Sequence, residues 1–295
     1  MSGTDGTGWS IRGKRVVITG ATNGIGLTAA EELAGRGAHL AIVARSEERA
    51  REATARIGAA GGRDPEVLYA DLASQASVRA LAAQILERYP RVDVLVNNAG
   101  AVHARCRVTE DGVELTWAVN HLAPFLLTTS LLDRLQASAP ARVVTTSSDA
   151  HRGAKTGIPF DDLDARRSYG PAGFRRYGET KLANILFTAE LARRLQGTGV
   201  TANCFHPGFV ATGFNKNNGP FMQFGMMLAR PFARTPRKGA ETLVWLVESP
   251  DVSGESGGYF FDKKRAEPTS WGQDMEAARR LWDVSEEQTR APAGR

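Results

Sequence analysis

The stretch KRVVITGATNGIG, Lys14 to Gly26, decides the fold. Its first half is a branched apolar run of strand length, and its second half is a glycine-rich turn within which a helix opens, IGLTAAEELAGRG. A strand so uniformly apolar is buried on both faces, which happens when crossover helices cover a parallel sheet. The turn lets backbone approach a pyrophosphate, while unpaired N–H groups and the positive end of the helix dipole face the anion. Its spacing is G-x-x-x-G-x-G rather than G-x-G-x-x-G, a dinucleotide pattern in kind but not in spacing. Glycine also serves tight turns on steric grounds alone. The position between strand and helix favours phosphate binding, with Gly20, Asn23, Gly24, Ile25 and Gly26 as the contacts.

Outward from this unit the rhythm repeats. Strand candidates AHLAIVAR, PEVLYADL, VDVLVNNAG, ARVVTTSS, VTANCFHPG and GGYFF alternate with amphipathic helical segments such as SVRALAAQILERY, VELTWAVNHLAPFLLTTSLLDRL and PRKGAETLVWLVES. The pattern predicts an α/β chain: a three-layer Rossmann fold with a doubly wound, seven-stranded parallel sheet in one domain, residues 11–270. Residues 1–10, rich in Gly, Ser and Thr, read as a loose tail, and 271–295 as a helix that frays. Ser46, and Thr235 before Pro236, suit helix N-caps. Two long segments break the rhythm, Asp149 to Gly173 and Phe209 to Thr235, the second with the apolar run FMQFGMMLARPF. Long insertions in a compact domain are usually functional, and both follow strands ending on the edge where ligands of open α/β sheets sit. The apolar run suits a cover over a greasy substrate, packing against the domain, a subunit contact or a membrane surface.

Bulk properties exclude several function classes. With 295 residues, 42% hydrophobic and 23% charged, the chain has material for a large core. No apolar run approaches the roughly 20 residues that cross a bilayer, and MSGTDGTGWS lacks the flank and centre of a signal peptide, so a cytoplasmic protein is expected. Cys106 and Cys204 suggest neither a disulfide nor a metal site, and the five histidines show no metal-ligand spacing. The net charge of +5 comes from arginines scattered among glutamates rather than from a run, so nucleic acid is not expected as a partner. A phosphorylated cofactor accounts for the charge equally well.

The second strand ends at Arg45, where an NAD enzyme would place an acid on the adenosine ribose. An arginine there can meet a 2′-phosphate with a bidentate, charge-assisted contact, which favours NADP(H) over NAD(H). Alternatively Arg45 faces solvent near Glu47 and Glu48.

Chemistry is concentrated in RSYGPAGFRRYGETKLAN, Arg167 to Asn184. Tyr177 and Lys181 lie four apart and so share one helix face. A tyrosine with pKa about 10 is protonated at neutral pH but a weak acid, and a neighbouring cation stabilises its phenolate. Such a pair can protonate a carbonyl oxygen as hydride arrives at the carbon. Tyr169 has no lysine at that spacing, precedes the turn signal Gly170-Pro171 and reads as a loop residue. His151 lines a substrate entrance or, more simply, sits on a surface loop. Asn120 lies in the apolar run WAVNHLAPFLL, where a buried amide needs partners.

The turn TGATNGIG, the pair Asp71 and Leu72, NNAG at Asn97 to Gly100, Asn120, Ser147 with Ser148, Y-x-x-x-K at Tyr177 to Lys181 and HPG at His206 to Gly208 follow one another in order. Together they resemble the short-chain dehydrogenase/reductase family, from residue 14 to about 262. The run from SSDAH through YGETKLANILFTAELARRLQGTGV to HPG is most similar to the branch containing retinol dehydrogenases. Many members of that branch carry an N-terminal membrane anchor, which this opening does not resemble.

The resemblance implies a catalytic set of Asn120, Ser148, Tyr177 and Lys181. Tyr177 is the acid in reduction and the base in oxidation, and Lys181 also binds the nicotinamide ribose. Ser148 orients the substrate oxygen, while Asn120 holds a water that links the lysine to solvent. Asp71 and Leu72 contact adenine, Asn98, Ala99 and Gly100 pass beside the cofactor's adenosine and ribose, and Pro207, Gly208, Val210 and Thr212 meet the carboxamide. Asp71 could equally start the next helix, and the asparagines could be turn formers. Family habit implies a homodimer or homotetramer. The expected activity is NADP(H)-dependent interconversion of a carbonyl and an alcohol on an apolar small molecule, with reduction as the physiological direction. The contrasting reading is a non-catalytic NADP-binding regulator or protein-interaction protein, which needs the glycine turn but not the tyrosine and lysine.

Overall fold

The computed structural model describes residues 8–61, 63–210 and 233–291. The strands are β1 (Arg15–Thr19), β2 (His39–Ala44), β3 (Glu66–Tyr69), β4 (Val94–Asn97), β5 (Ala141–Thr146), β6 (Val200–Phe205), β7 (Tyr259–Phe261) and β8 (Lys264–Ala266). The helices are α1 (Gly24–Gly35), α2 (Glu47–Gly61), α3 (Gln75–Arg88), α4 (Leu115–Trp117), α5 (Ala123–Ser130), α6 (Leu132–Ala137), α7 (Phe174–Arg194), α8 (Pro236–Glu248) and α9 (Met275–Gln288). The sheet order is β3-β2-β1-β4-β5-β6-β7-β8. All neighbours run parallel except β7 and β8. Strand order reverses between β1 and β4, the switch point outside which open α/β sheets bind ligands.

Alternation along the strands builds the two apolar layers. Val17, Leu95 and Val143 face one side, against Leu81, Phe125, Phe187 and Trp282. Val16, Ile18, Val94 and Val144 face the other, against Leu33, Ile57, Leu243 and Val247. Each fully buried Val, Leu or Phe contributes about 1.5–3 kcal/mol, so the uniformly apolar strands both require and reward coverage on two faces. The three-layer, doubly wound architecture expected from the sequence is therefore present.

Three features differ from the sequence reading. First, the sheet has eight strands rather than seven, because β7 turns back antiparallel through Asp262 (φ 47) and Lys263 (φ 61). Second, the long helix expected from Val113 to Leu135 is broken. Residues Ala118–Leu122 form a π-helical turn, in which Ala123 N donates to Ala118 O. Pro124 follows and has no N–H to give to the carbonyl four residues back, so the wider turn accommodates it. Third, Trp9 falls inside the stretch read as a tail, yet its Nε1 donates to Val247 O at 2.9 Å and its ring packs on the apolar layer. No helix of the described residues is long and apolar enough to cross a membrane.

Candidate active site

The glycine turn after β1 is shaped by close backbone packing. Gly20 adopts φ 68, and a Cβ at Gly26 would lie 2.2 Å from Gly20 O and 2.3 Å from Asn98 Nδ2. No side chain other than hydrogen fits there. The helix that follows starts without a side-chain cap: Asn23 is the N-cap residue but makes no capping hydrogen bond. Its exposed side chain leaves the first N–H groups of α1 open to an anion. Ile25 supports the turn from below, near Val210 and Gly239 at the start of α8.

Across from the turn, Asn98 is occupied by the protein itself. Its Nδ2 donates to Thr19 O (3.2 Å) and Gly20 O (3.1 Å), and its Oδ1 accepts from Thr146 Oγ1 at 3.1 Å. Asn98 thus ties β1, β4 and β5 together at their carboxyl ends. Ala99 and Leu72 line one narrow cleft with Thr19, Asn97 and Val119. Asp71 is exposed and its Oδ1 accepts from Ala73 N at 3.0 Å in a local turn, while Ser74 rather than Asp71 is the N-cap of α3. Arg45 follows the end of β2, exposed, and pairs with neither Glu47 nor Glu48. Pro207, Gly208 and Val210 extend from β6, with Val210 bridged in parallel to Arg234. Thr212 and the apolar run after it, up to Phe232, lie outside the described residues.

The four residues of the expected catalytic set come from three elements that meet at the same edge. Ser148 follows β5 and caps a short 3-10 turn, its Oγ accepting from Ala150 N at 3.2 Å. Its hydroxyl also hydrogen-bonds Tyr177 on α7. Lys181, one turn further along α7, is buried, and its Nζ donates to Thr146 O at 3.0 Å. Gly100 brings Asn120 and Lys181 together: a Cβ there would stand 3.4 Å from both Asn120 Oδ1 and Lys181 Nζ. Asn120, on the π-helical turn, forms a reciprocal pair with Ala101 at 2.8 Å in each direction, and its Nδ2 also donates to Thr180 Oγ1 at 3.0 Å. The neighbouring Ser147 is structural, its Oγ donating to Lys181 O at 2.8 Å.

The electrostatics depart from the simple expectation that the lysine lowers the tyrosine's pKa. Burial dominates and pushes Tyr177 up to about 12, opposed by the hydrogen bond from Ser148. The ammonium stands 5.4 Å from the centre of the Tyr177 ring. Burial also pulls Lys181 down to about 8. At neutral pH the pair is a protonated phenol beside a cation, the state that suits an acid.

Several supporting residues were not read from the sequence. Thr180, between the tyrosine and the lysine, donates to Tyr177 O at 2.7 Å while accepting from Asn120. Asn184 donates to the same carbonyl as Lys181, Thr146 O, at 3.3 Å. Its i+3 spacing from the lysine was the available signal. His151 is fully buried, not on the surface. Its Nδ1 lies 2.8 Å from Ser148 O and its Nε2 accepts from Thr269 N at 3.2 Å, so the proton sits on Nδ1 and is donated to Ser148. Tyr169 donates to His103 O at 2.6 Å and Arg105 O at 3.0 Å, which holds two loop segments together.

Comparison with known proteins bears on the family and the fold. The family model described as short chain dehydrogenase matches residues 14–159. Retinol dehydrogenase 14 of Mus musculus is 44% identical, covering 94% of this chain and 86% of its own. A protein of Streptomyces sp. (strain C5) named for daunorubicin C-13 ketoreduction is 39% identical, covering 92% of this chain and 91% of its own. Among solved structures, a short chain dehydrogenase from Burkholderia cenocepacia J2315 in complex with NADP superposes with a TM-score of 0.67 at 29% identity, over 85% of this chain and 96% of that one.

Proposed function

The chain belongs to the short-chain dehydrogenase/reductase family, oxidoreductases of alcohols and carbonyls, and from that premise we propose that it is NADP(H)-dependent and uses Tyr177 as its acid and base. The observation that carries this reading is the meeting of Ser148, Tyr177, Lys181 and Asn120 at the carboxyl edge of the sheet. The cradle suits a dinucleotide: a turn closed to any side chain at Gly26, an uncapped start of α1, and an exposed Arg45 that pairs with no described carboxylate. When bound, the nicotinamide supplies or accepts the hydride. The chain's own residues handle the oxygen. Ser148 donates a hydrogen bond to the substrate oxygen and fixes its position. Tyr177 gives up its phenolic proton as that oxygen gains negative charge, and takes a proton back in the oxidative direction. Lys181 stabilises the phenolate so formed. An apolar substrate is in keeping with relatives named for retinol and for daunorubicin.

Two experiments test this reading. A panel of aldehydes and ketones with NADPH, followed by absorbance, should reveal turnover; tight NADPH binding without turnover on any of them would replace the enzyme with a regulator. Substituting Arg45→Asp removes a charge-assisted contact worth about 1.5–3 kcal/mol and adds repulsion. The expected result is a loss of roughly tenfold to a hundredfold in preference for NADPH over NADH, read from the ratio of kcat/KM values. An unchanged ratio removes Arg45 as the discriminator.

The pH profile carries a further prediction. Lys181, pulled down to about 8, is a cation below that pH and neutral above it. Carbonyl reduction at saturating cofactor should be level between about pH 6 and 7 and fall as pH rises through about 8, because the developing phenolate loses its counter-charge. A reduction rate that stays level to about pH 9.5 would remove Lys181 from that role.

A further inference from the structure

A cavity of about 630 Å³ opens at the amino-terminal edge of the sheet, the edge opposite the active site. Its walls come from the residues leading into β1 and from the end of α3 with the turn that follows. Five cations line it: Arg12, Lys14, Arg15, Arg88 and Arg91. Among the described residues its only acidic lining residue is Asp93. That carboxylate is already shared, receiving Lys14 Nζ at 3.3 Å, Arg91 Nη2 at 3.1 Å and the backbone N–H of Arg15 at 2.8 Å. Arg15 itself reaches outward to Glu66 at 2.6 Å and lies over the Tyr89 ring at 4.3 Å. Arg12 and Arg88 are exposed, and neither side chain makes an ion pair with a described carboxylate.

One part of the wall is firmly anchored. Trp9 is held by its bond to Val247 O and flanked by Lys14 at 4.6 Å and Arg142 at 4.0 Å from the ring centre. A merely solvated basic face would spread its charges over a convex surface. Here they line one concave space of the size that holds small ligands, where the field of like charges is stronger than over a convex surface. Guanidinium forks match phosphate oxygens in pairs, and a compact ligand with several such oxygens could satisfy Arg12 and Arg88 together.

We propose that this cavity is a second anion site, separate from the cofactor cleft, that takes a multiply charged phosphate group such as a pyrophosphate moiety. The source is either a free soluble phosphate or a lipid headgroup, and the test separates them. Protein saturated with NADP, so that the glycine turn is filled, is titrated with inorganic pyrophosphate by calorimetry. In a second arm it is sedimented with vesicles of phosphatidic acid, whose phosphomonoester can carry two charges, or of phosphatidylcholine. Both arms are repeated with Arg12→Ser/Arg88→Ser, a pair outside the catalytic machinery whose carbonyl reductase rate should match the parent's. The expected result is pyrophosphate binding that persists with NADP present and weakens at least about tenfold in the double variant, with affinity falling steeply with salt. Binding only to phosphatidic acid vesicles, lost in the double variant, would support the site with a headgroup as its source. Equal binding by parent and variant, full displacement by NADP, or no binding in either arm would overturn the proposal.

Discussion

Tyr177→Phe is expected to lower turnover by about 10²–10⁴-fold, the range that positioned acid or base groups contribute, while NADPH affinity stays close to that of the parent. The substitution removes one oxygen and keeps the ring, so the contact of the aromatic face with Lys181 at 5.4 Å survives. Ser148 loses its bond to the phenol but keeps its bond from Ala150 N, and the Thr146 carbonyl that holds Lys181 is untouched. What is lost is a proton at the substrate oxygen. Ser148 can still donate a hydrogen bond there, but a serine hydroxyl is too weak an acid to complete the transfer, and residual rate would come from positioning alone. Tyr169→Phe is the control. Its hydroxyl bridges His103 and Arg105, and its loss should change turnover only modestly by loosening a loop. Single-turnover kinetics with NADPH separates the two cases, because the chemical step should slow only for Tyr177→Phe. Turnover of Tyr177→Phe within about tenfold of the parent would end the acid–base assignment.

The sheet was legible in the sequence because the central strands carry apolar runs, 16–18, 40–44 and 94–96 among them, that are buried along their length and so call for coverage on both faces. The tyrosine and lysine were legible because helical spacing is local. What was not legible depends on distant partners or on unusual turns. The burial of His151 rests on Thr269 and Tyr259, more than a hundred residues along the chain. The eighth strand needs a two-residue reversal with both central residues at positive φ, which Asn-Gly or Asp-Gly would have signalled and Asp262-Lys263 does not. That turn is held from outside, by Arg234 on Asp262 and by Thr242 Oγ1 accepting from Lys263 N at 3.2 Å. The rise in the Tyr177 pKa was also missed. Spacing shows that a cation is near, but only packing shows that desolvation outweighs it.

Arg176→Met should destabilise the protein by about 3–5 kcal/mol, the cost of leaving buried charge without its partner. The guanidinium is fully buried, directly before Tyr177. Its Nε donates to Glu114 at 2.9 Å, its Nη1 to Glu179 at 3.3 Å and its Nη2 to Leu163 O, and it lies over the Trp117 ring at 4.6 Å. Glu114, also fully buried, accepts from Thr116 N and Trp117 N and so starts the helical stretch that carries Asn120. One side chain therefore joins the helix that carries Tyr177 and Lys181, the polar connection before it and the Asn120 turn. Methionine fills much of the volume but takes the shared guanidinium from two buried carboxylates, leaving Glu114 only its two backbone N–H donors and Glu179 only Arg175. Burial already raises Glu179 despite Arg176, and removing the cation raises it further. A carboxyl whose folded pKa is raised above its unfolded value adds stability at low pH and loses it as pH rises. The deficit of Arg176→Met should thus be largest near pH 7.5 and shrink toward pH 5.5. Combining it with Glu114→Gln should cost less than the two single changes added together, since the second removes one stranded charge. Urea unfolding of the four proteins at both pH values measures this cycle. A deficit under about 1 kcal/mol for Arg176→Met, or one that grows on acidification, would show that the buried cluster is not what holds these three segments together.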